Sequence, residues 1–457
     1  MVPGHRSDQA QEGRKGPHMP RTSSTDSPRR DSVVVTGMGA VTPYGVGVQA
    51  LVDGLYSAVP TARPISLFDA SAHAARIACE VPGFQPEAFL PARLVGQLDR
   101  FAQFGLVAAE EALRHAGLLE APEGDGAPPL HWPVDAEVDS TRIATLVTSS
   151  AGGVGSLTGQ TARLIEGGPR RVRPFLTIAM PSDMASGQTA VRHGLRGPSF
   201  AVLSACASGS DAIGVGLDLI RAGRADIVVA GGAEAAVIPV CVAAFGNAGA
   251  LSRRNDDPAR ASRPFDVDRD GFVMGEGAGV IVLERASHAL ARGAEVLAEL
   301  AGYGASDDAY HATAPHPDGD GASRALSAAL ADADAAPGDV DHLNAHGTST
   351  PPNDRIEAKA IRAALGGHTD RVAVTSTKSA VGHMLGAAGG VEAIATITAL
   401  REQRVPPTLN LDRQDPGCAL DVVAGKPRDI AIKVACSNSF GFGGHNAVLV
   451  FRAVDAA

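Results

Sequence analysis

Cysteine is scarce in this sequence, and what there is does not pair. Five cysteines (Cys79, Cys206, Cys241, Cys418, Cys436) are scattered through 457 residues, odd in number and without a CxxC spacing. This excludes a disulfide scaffold or a cysteine-based zinc framework and fits reduced thiols in a cytoplasmic protein. No uninterrupted apolar run reaches the roughly 18 residues a membrane-spanning helix needs. The best candidate, 227–250, is broken by Glu234, Pro239 and several glycines. The N-terminus lacks the apolar segment of a secretory signal. Positive charge is short as well: 40 Lys and Arg stand against 50 Asp and Glu, a net charge of −10. That argues against nucleic acid or an anionic membrane as a partner of the whole surface, and leaves room for a local basic patch.

What is present is material for a large core, with 44% of residues hydrophobic. Glycine (53) and proline (30) exceed ordinary usage too modestly for a low-complexity chain. Length alone predicts about three domains. Residues 1–31 are polar, rich in Pro, Ser and Arg and without periodicity, and read as a disordered extension. Order is expected from the β-branched run at Ser32–Gly39. Ala121–Ser140 reads as a polar surface insertion. Beyond it strands and helices alternate. Arg142–Thr148, Phe200–Ser204, Asp226–Ala230, His342–Ala345, Val372–Ser376 and Ala447–Phe451 are strand-like. Helices are expected up to about Arg221, over Asn353–Leu365 and over Ala387–Gln403. Such alternation predicts an α/β fold with largely parallel sheets, whose ligands gather at the carboxyl ends of strands.

Three chemically capable side chains stand at such strand ends. Cys206, in Leu203-Ser-Ala-Cys-Ala-Ser-Gly209, lies between a strand and a helix start, where the helix dipole and free N–H groups favour a thiolate. His346, in Asn344-Ala-His-Gly-Thr-Ser-Thr350, and His383, in Lys378-Ser-Ala-Val-Gly-His-Met-Leu-Gly386, each follow a β-rich run amid small residues. Taken singly, each is more simply a buried cysteine or a core histidine. Together they point to a Cys-His-His nucleophilic site. A metal site built on the same three is disfavoured by the absence of short ligand spacings and of an acidic fourth ligand. Two glycine-rich segments mislead. Asp266-Val-Asp-Arg-Asp-Gly271 opens like a calcium loop but has Gly277 at its twelfth position. Gly275-Glu-Gly-Ala-Gly279 precedes a strand, the reverse of a dinucleotide fingerprint.

Four segments in order, SACASGS around Cys206, NAHGTSTP around His346, KSAVGHMLGAAGGVE around His383 and NSFGFGGHN at 438–446, resemble the β-ketoacyl-acyl carrier protein synthases, most of all the elongating KAS II type. The resemblance runs from about Ser32 to Phe451. It implies a thiolase-like fold in which two similar halves, 32–290 with the cysteine and 291–457 with the histidines, form one α-β-α-β-α unit. It implies decarboxylative Claisen condensation, with Cys206 acylated and malonyl-acyl carrier protein decarboxylated between His346 and His383. The backbone N–H groups of Cys206 and Phe442 would form the oxyanion hole. Lys378 and Glu392 match a pair that organises the site around the second histidine. Thr348 and Thr350 match hydroxyls on the pantetheine arm, and Phe440 and Phe442 a segment that gates the acyl pocket. No metal or redox cofactor is implied. Substrates arrive on the phosphopantetheine of acyl carrier protein, and the chain acts as a homodimer or beside a chain-length-factor subunit. A carrier-binding scaffold without catalysis is the remaining, weaker alternative.

The sequence also departs from that pattern. Ala151 stands where relatives often place a bulky aliphatic residue against the acyl chain, which suggests a roomier pocket. Arg170, Arg171 and Arg173, with Arg253 and Arg254, suit an acidic carrier protein. Yet the stretch Arg93–Gln97 keeps only Arg93, and Gly249 occupies a position that is often arginine. Asn353-Asp-Arg355 resembles ketosynthase subunits of type II polyketide synthases, so both a fatty-acid and a polyketide role are open.

Overall fold

The computed structural model describes residues 31–120 and 128–454. The expected extension at 1–31 lies outside these apart from Asp31, as does 121–127 of the expected insertion. The rest of that insertion is tied down: Trp132 and Val134 donate their N–H groups to the carbonyls of Arg192 and His193 at 2.7 and 3.1 Å.

Among the described residues, nine strands run through the central sheet: β1 Val33–Thr42, β2 Ile143–Thr148, β3 Ile227–Glu234, β4 Gly277–Arg285, β5 Ala298–Asp307, β6 His342–Asn344, β7 Ala373–Thr375, β8 Val434–Gly441 and β9 His445–Arg452. The helices that cover it are α1 Arg100–His115, α2 Met184–His193, α3 Ser208–Arg221, α4 Asp320–Asp332, α5 Pro351–Leu365 and α6 Ala388–Glu402. The hydrogen-bonded order is β7-β6-β8-β9-β5-β1-β4-β3-β2, with the short strand Gly45–Val46 paired to β1.

That order is one pattern used twice. On one side β1, β4, β3 and β2 follow one another, and the extended residue Ser199 bridges Thr145 beyond β2. On the other, β5, β9, β8, β6 and β7 run in the same sense. The two sets meet where Val34 and Val35 face Glu299 and Ala298. Helices α1 and α2 cover one outer face, and α4, with α5 packed on it, the other. Between the two sets lie α3 and α6, each touching strands of both. This is the five-layered α-β-α-β-α thiolase-like arrangement.

The central layer follows from the sequence of α6. Every residue from Ala388 to Leu400 is buried, and a helix apolar on nearly all sides, with Glu392 paired to Lys378, lies between two sheets. Glycine lets it come close. A Cβ on Gly390 would lie 2.0 Å from the Gly279 carbonyl of β4, and one on Gly279 would lie 2.2 Å from the Val391 nitrogen.

Two expectations need correction. The sheet is mixed: only β7-β6, β6-β8 and β3-β2 are parallel links, because β8 and β9 form a hairpin and β1 pairs antiparallel on both edges. Phe200–Ser204 makes no strand: after Ser199 bridges Thr145 and Phe200 donates to the Thr145 carbonyl, ladder pairing ends and the chain enters the turn that carries Cys206. No helix among the described residues is long and apolar enough to cross a membrane.

His342 shows how the β6 region is held and how acid should weaken it. Its ring is buried, with Nδ1 at 2.7 Å from the Ala373 carbonyl, and burial lowers its pKa to about 4. An unfolded histidine titrates near pH 6.5. Below that pH the unfolded chain binds the extra proton, so this contribution to stability is lost as pH falls from about 6.5 to about 4. The stability advantage of the native protein over His342→Asn is therefore expected to shrink across that window in urea unfolding. A constant difference would show that His342 does not fold as the neutral ring.

Candidate active site

The parallel strands β6 and β7, the end of β8 and the turn after Ser199–Ser204 deliver their residues to one place. Cys206 sits in the single 3-10 turn Ala205–Ala207 that leads into α3. His346 follows β6 by two residues. Lys378–Val381 forms a helical turn after β7, and Gly382, at φ 71°, reverses the chain so that His383 joins a bridge to Met274. Phe440 lies one residue before the end of β8, and Phe442 lies in the turn toward β9.

A cavity of about 310 Å³ is lined by Cys206, His346 and His383, together with Thr348, Thr350, Phe440 and Phe442. The histidine rings stand edge to face, centroids 5.3 Å apart at 87°. The backbone N–H groups of Phe442 and Cys206 lie near enough to the Cys206 sulfur to favour its charged form. The Thr348 and Thr350 hydroxyls share a hydrogen bond of 2.9 Å. Gly441 makes the approach of the glycine-rich turn feasible: a Cβ there would lie 2.5 Å from the Ser204 carbonyl and 3.1 Å from the Cys206 nitrogen. Gly441→Ala is therefore expected to push Phe442 away and slow acylation of Cys206 at least about tenfold. Timed intact-mass measurement checks this, and an unchanged rate would separate the turn from the nucleophile.

Electrostatics correct one expectation. Burial pushes the Cys206 thiol up to about 12, with Lys378 pulling it down and Glu234 pushing it further up. Burial thus works against the thiolate that the helix start was expected to favour. Burial, then the Lys378 charge, hold both His346 and His383 well below the ordinary imidazole range, with His383 also depressing His346. Both rings are thus neutral at pH 7. Lys378 is itself buried and paired with Glu392, whose carboxyl burial raises to about 7 against the pull of that lysine.

Two buried carboxylates escaped the sequence reading. Glu357 on α5 accepts the N–H groups of His346 and Gly347 at 2.8 and 2.7 Å and the Asn438 amide at 3.1 Å, fixing the His346 loop to β8. Glu234, ending β3, accepts the N–H groups of Ser150, Ala151 and Gly386 and the Ser149 and Ser150 hydroxyls. Each lies at a strand end or a helix turn away from its loop, and nothing local in sequence announces the pairing. Phe245, Phe272 and Leu385 add apolar walls to the cavity, with Phe272 edge-on to His383 at 5.2 Å.

Other candidates lie elsewhere. Ala151 is absent from the lining of this cavity, and its turn is clamped on Glu234. Arg170, Arg171 and Arg173 are exposed around the turn Pro169–Arg171 and do not line the cavity. Arg253 and Arg254 follow closely on Gly249 and Ala250, which do. The calcium-like segment is an internal brace: Asp266 pairs with Arg263 at 3.0 Å and accepts N–H groups of Asp268, Asp412 and Arg413. Asp354 in the Asn353–Arg355 stretch meets Arg269 at 3.3 Å.

Comparison with known proteins now bears on this arrangement. Residues 30–289 match the model of the β-ketoacyl synthase N-terminal domain, and residues 297–412 that of the C-terminal domain. The chain belongs to the β-ketoacyl synthase family. It is 47% identical to a 3-oxoacyl-[acyl-carrier-protein] synthase 2 of Synechocystis sp. over 420 residues, 92% of this chain and 97% of that one. It is 42% identical to the enzyme of the same name from Staphylococcus aureus strain COL, over 93% of this chain and 99% of the other. Among solved structures it resembles a β-ketoacyl synthase from Burkholderia phymatum, with a TM-score of 0.84 and 35% identity. It also resembles a type II polyketide synthase complex of an acyl-carrier protein with its ketosynthase, with a TM-score of 0.84 and 32% identity. In both cases the match covers 93% of this chain and 100% of the other.

Proposed function

We propose that this condensing enzyme extends acyl chains by two carbons through Cys206, His346 and His383, and that its partner is an acyl carrier protein. The observation that carries the assignment is that these three side chains line one cavity, with the backbone N–H groups of Cys206 and Phe442 beside the sulfur. In the first half-reaction Cys206 Sγ attacks the thioester carbonyl. The N–H groups of Cys206 and Phe442 hold the oxyanion, each such donor contributing about 2.7–4 kcal/mol in comparable sites. The carbonyl–sulfur bond to the carrier breaks, and the carrier thiol leaves with the proton that Cys206 gave up.

In the second half-reaction the malonyl thioester lies against the two neutral imidazoles. The bond to its carboxylate breaks, CO2 leaves, and the electron pair becomes an enolate whose oxygen accepts the ring N–H groups of His346 and His383. The apolar walls Phe245, Phe272 and Leu385 disfavour a charged carboxylate and favour its loss. The enolate carbon then attacks the acyl carbonyl, the bond to Cys206 breaks, and the leaving thiolate takes up one proton from solvent. Every redox state is conserved, and the groups named supply the chemistry. In this reading 32–290 supplies the nucleophile and 291–457 the histidines, and the enzyme works in the cytoplasm.

Fatty-acid elongation is favoured over a polyketide role by the higher identity to the curated synthases than to the polyketide structures. A paired assembly is supported by the exposed apolar side chains Leu157, Leu164, Ile165, Phe175, Phe200 and Leu203 within one stretch of chain. The test is a purified-protein assay with acyl- and malonyl-carrier protein: equimolar CO2 and a 3-oxoacyl product are expected, and CO2 without chain extension would reject the reading. Carrier docking is assigned to Arg253 and Arg254 beside the mouth. Reversing both to Glu is expected to raise KM for carrier-bound substrate about tenfold or more, with the gap narrowing as salt is added. An unchanged KM would move the docking face elsewhere.

A further inference from the structure

Behind the nucleophile turn lies a buried carboxylate that the reaction described above does not use. Asp211 stands in the first turn of α3, five residues after Cys206, and is 8% exposed. One of its oxygens accepts the Ser204 hydroxyl, and the other accepts the Tyr303 hydroxyl at 2.6 Å. Burial raises the Asp211 carboxyl, while these two hydroxyls and the nearby His445 lower it. Tyr303 belongs to β5, so the pair joins α3 to the opposite set of strands. The fit is close: an added Cβ on Gly214 of α3 would lie 2.3 Å from the Tyr303 ring.

The residues that Asp211 reaches are those that aim the nucleophile. Ala205, immediately before Cys206, has φ 51°, a left-handed conformation that an L-residue keeps only where its surroundings enforce it. Ser208 Oγ holds the turn from one side, accepting the Ser204 N–H at 3.0 Å and donating to the Ala205 carbonyl at 2.6 Å. The Ser204 side chain is held from the other side by Asp211. His346 is instead anchored by Glu357, and His383 by its bridge to Met274.

We infer that Asp211, braced by Tyr303, is a positioning residue for acyl transfer: it fixes Ser204 and so the strained turn that presents the Cys206 sulfur and N–H to the cavity. The inference rests on Cys206 being the acylated residue. Asp211 acts through Ser204 and touches no reacting atom. Its loss therefore impairs the cysteine half-reaction and spares the histidine one.

The experiment measures the two half-reactions separately on the full chain. Acylation of Cys206 by acyl-carrier protein is followed by intact mass. CO2 release from malonyl-carrier protein is followed without an acyl donor. Asp211→Ala is expected to slow acylation about 10–100-fold and Tyr303→Phe about 3–10-fold, with CO2 release within about twofold of the native protein. Tyr303→Phe keeps the ring and carries the test if Asp211→Ala does not fold. Native acylation rates in the folded variants, or equal falls in both half-reactions, would overturn the positioning role. Absence of an adduct on the native protein would instead overturn the assignment of Cys206, and this inference with it.

Discussion

Cys206→Ala is expected to take up no acyl group and to lose condensation by about 10⁴-fold or more, while still releasing CO2 from malonyl-carrier protein. The size follows from removing a nucleophile whose covalent intermediate no neighbour can replace. The surviving activity follows from geometry. His346 and His383 face each other across 5.3 Å and are held by Glu357 and by the Gly382 turn, none of which depends on the sulfur. Their pKa values are depressed by burial and Lys378, with no contribution from Cys206. Parallel measurement of product by mass and of CO2 checks this. Loss of both activities together would mean that the cysteine and the histidines do not act as separable halves.

Lys378→Met is expected to have the second-largest effect, on stability and on pH dependence at once. Lys378 and Glu392 are both buried, and removing one partner of such a pair typically costs about 3–5 kcal/mol. Glu392 already sits near 7, with burial raising it and Lys378 lowering it. Without the lysine it rises further and is held as the neutral acid in the folded state. A carboxyl raised on folding stabilises the fold at low pH and loses that contribution as pH rises, so the deficit should be larger at pH 8 than at pH 6. Lys378 also disfavours a proton on His346 and His383, so its loss moves both upward. An imidazolium would bind the malonyl carboxylate and stabilise the ground state against losing CO2. The acid limb of CO2 release should therefore move to higher pH. Urea unfolding at the two pH values and the pH-rate profile test these together, and an unmoved acid limb would dissociate Lys378 from the histidines.

Much of this site was legible in the sequence because its parts are local. Cys206, His346 and His383 are each followed or preceded by glycine and small residues within a few positions, and a strand end places His346 directly and His383 through one helical turn. The four motif segments gave the family, and the α/β alternation gave most of the helices and strands within a few residues. What was not legible is what depends on distant partners. Glu234 and Glu357 have no local mark, yet each gathers loops from separate parts of the chain. The antiparallel pairings of β1 with both β4 and β5 join strands whose distance along the chain says nothing of direction. Phe200–Ser204 has strand-like residues but serves to turn the chain into Ala205. The helix start at Cys206 suggested a thiolate, and only the extent of burial around it reverses that direction.

The central claim is that Cys206 carries the growing chain and that the two histidines complete its extension. The most direct measurement is the intact mass of the native protein after acyl-carrier protein, followed by a chase with malonyl-carrier protein. The account predicts one acyl group mapped by peptide mass to Cys206, then its disappearance as a 3-oxoacyl product two carbons longer forms on the carrier. An adduct on another residue, or one that malonyl-carrier protein does not discharge, would contradict it.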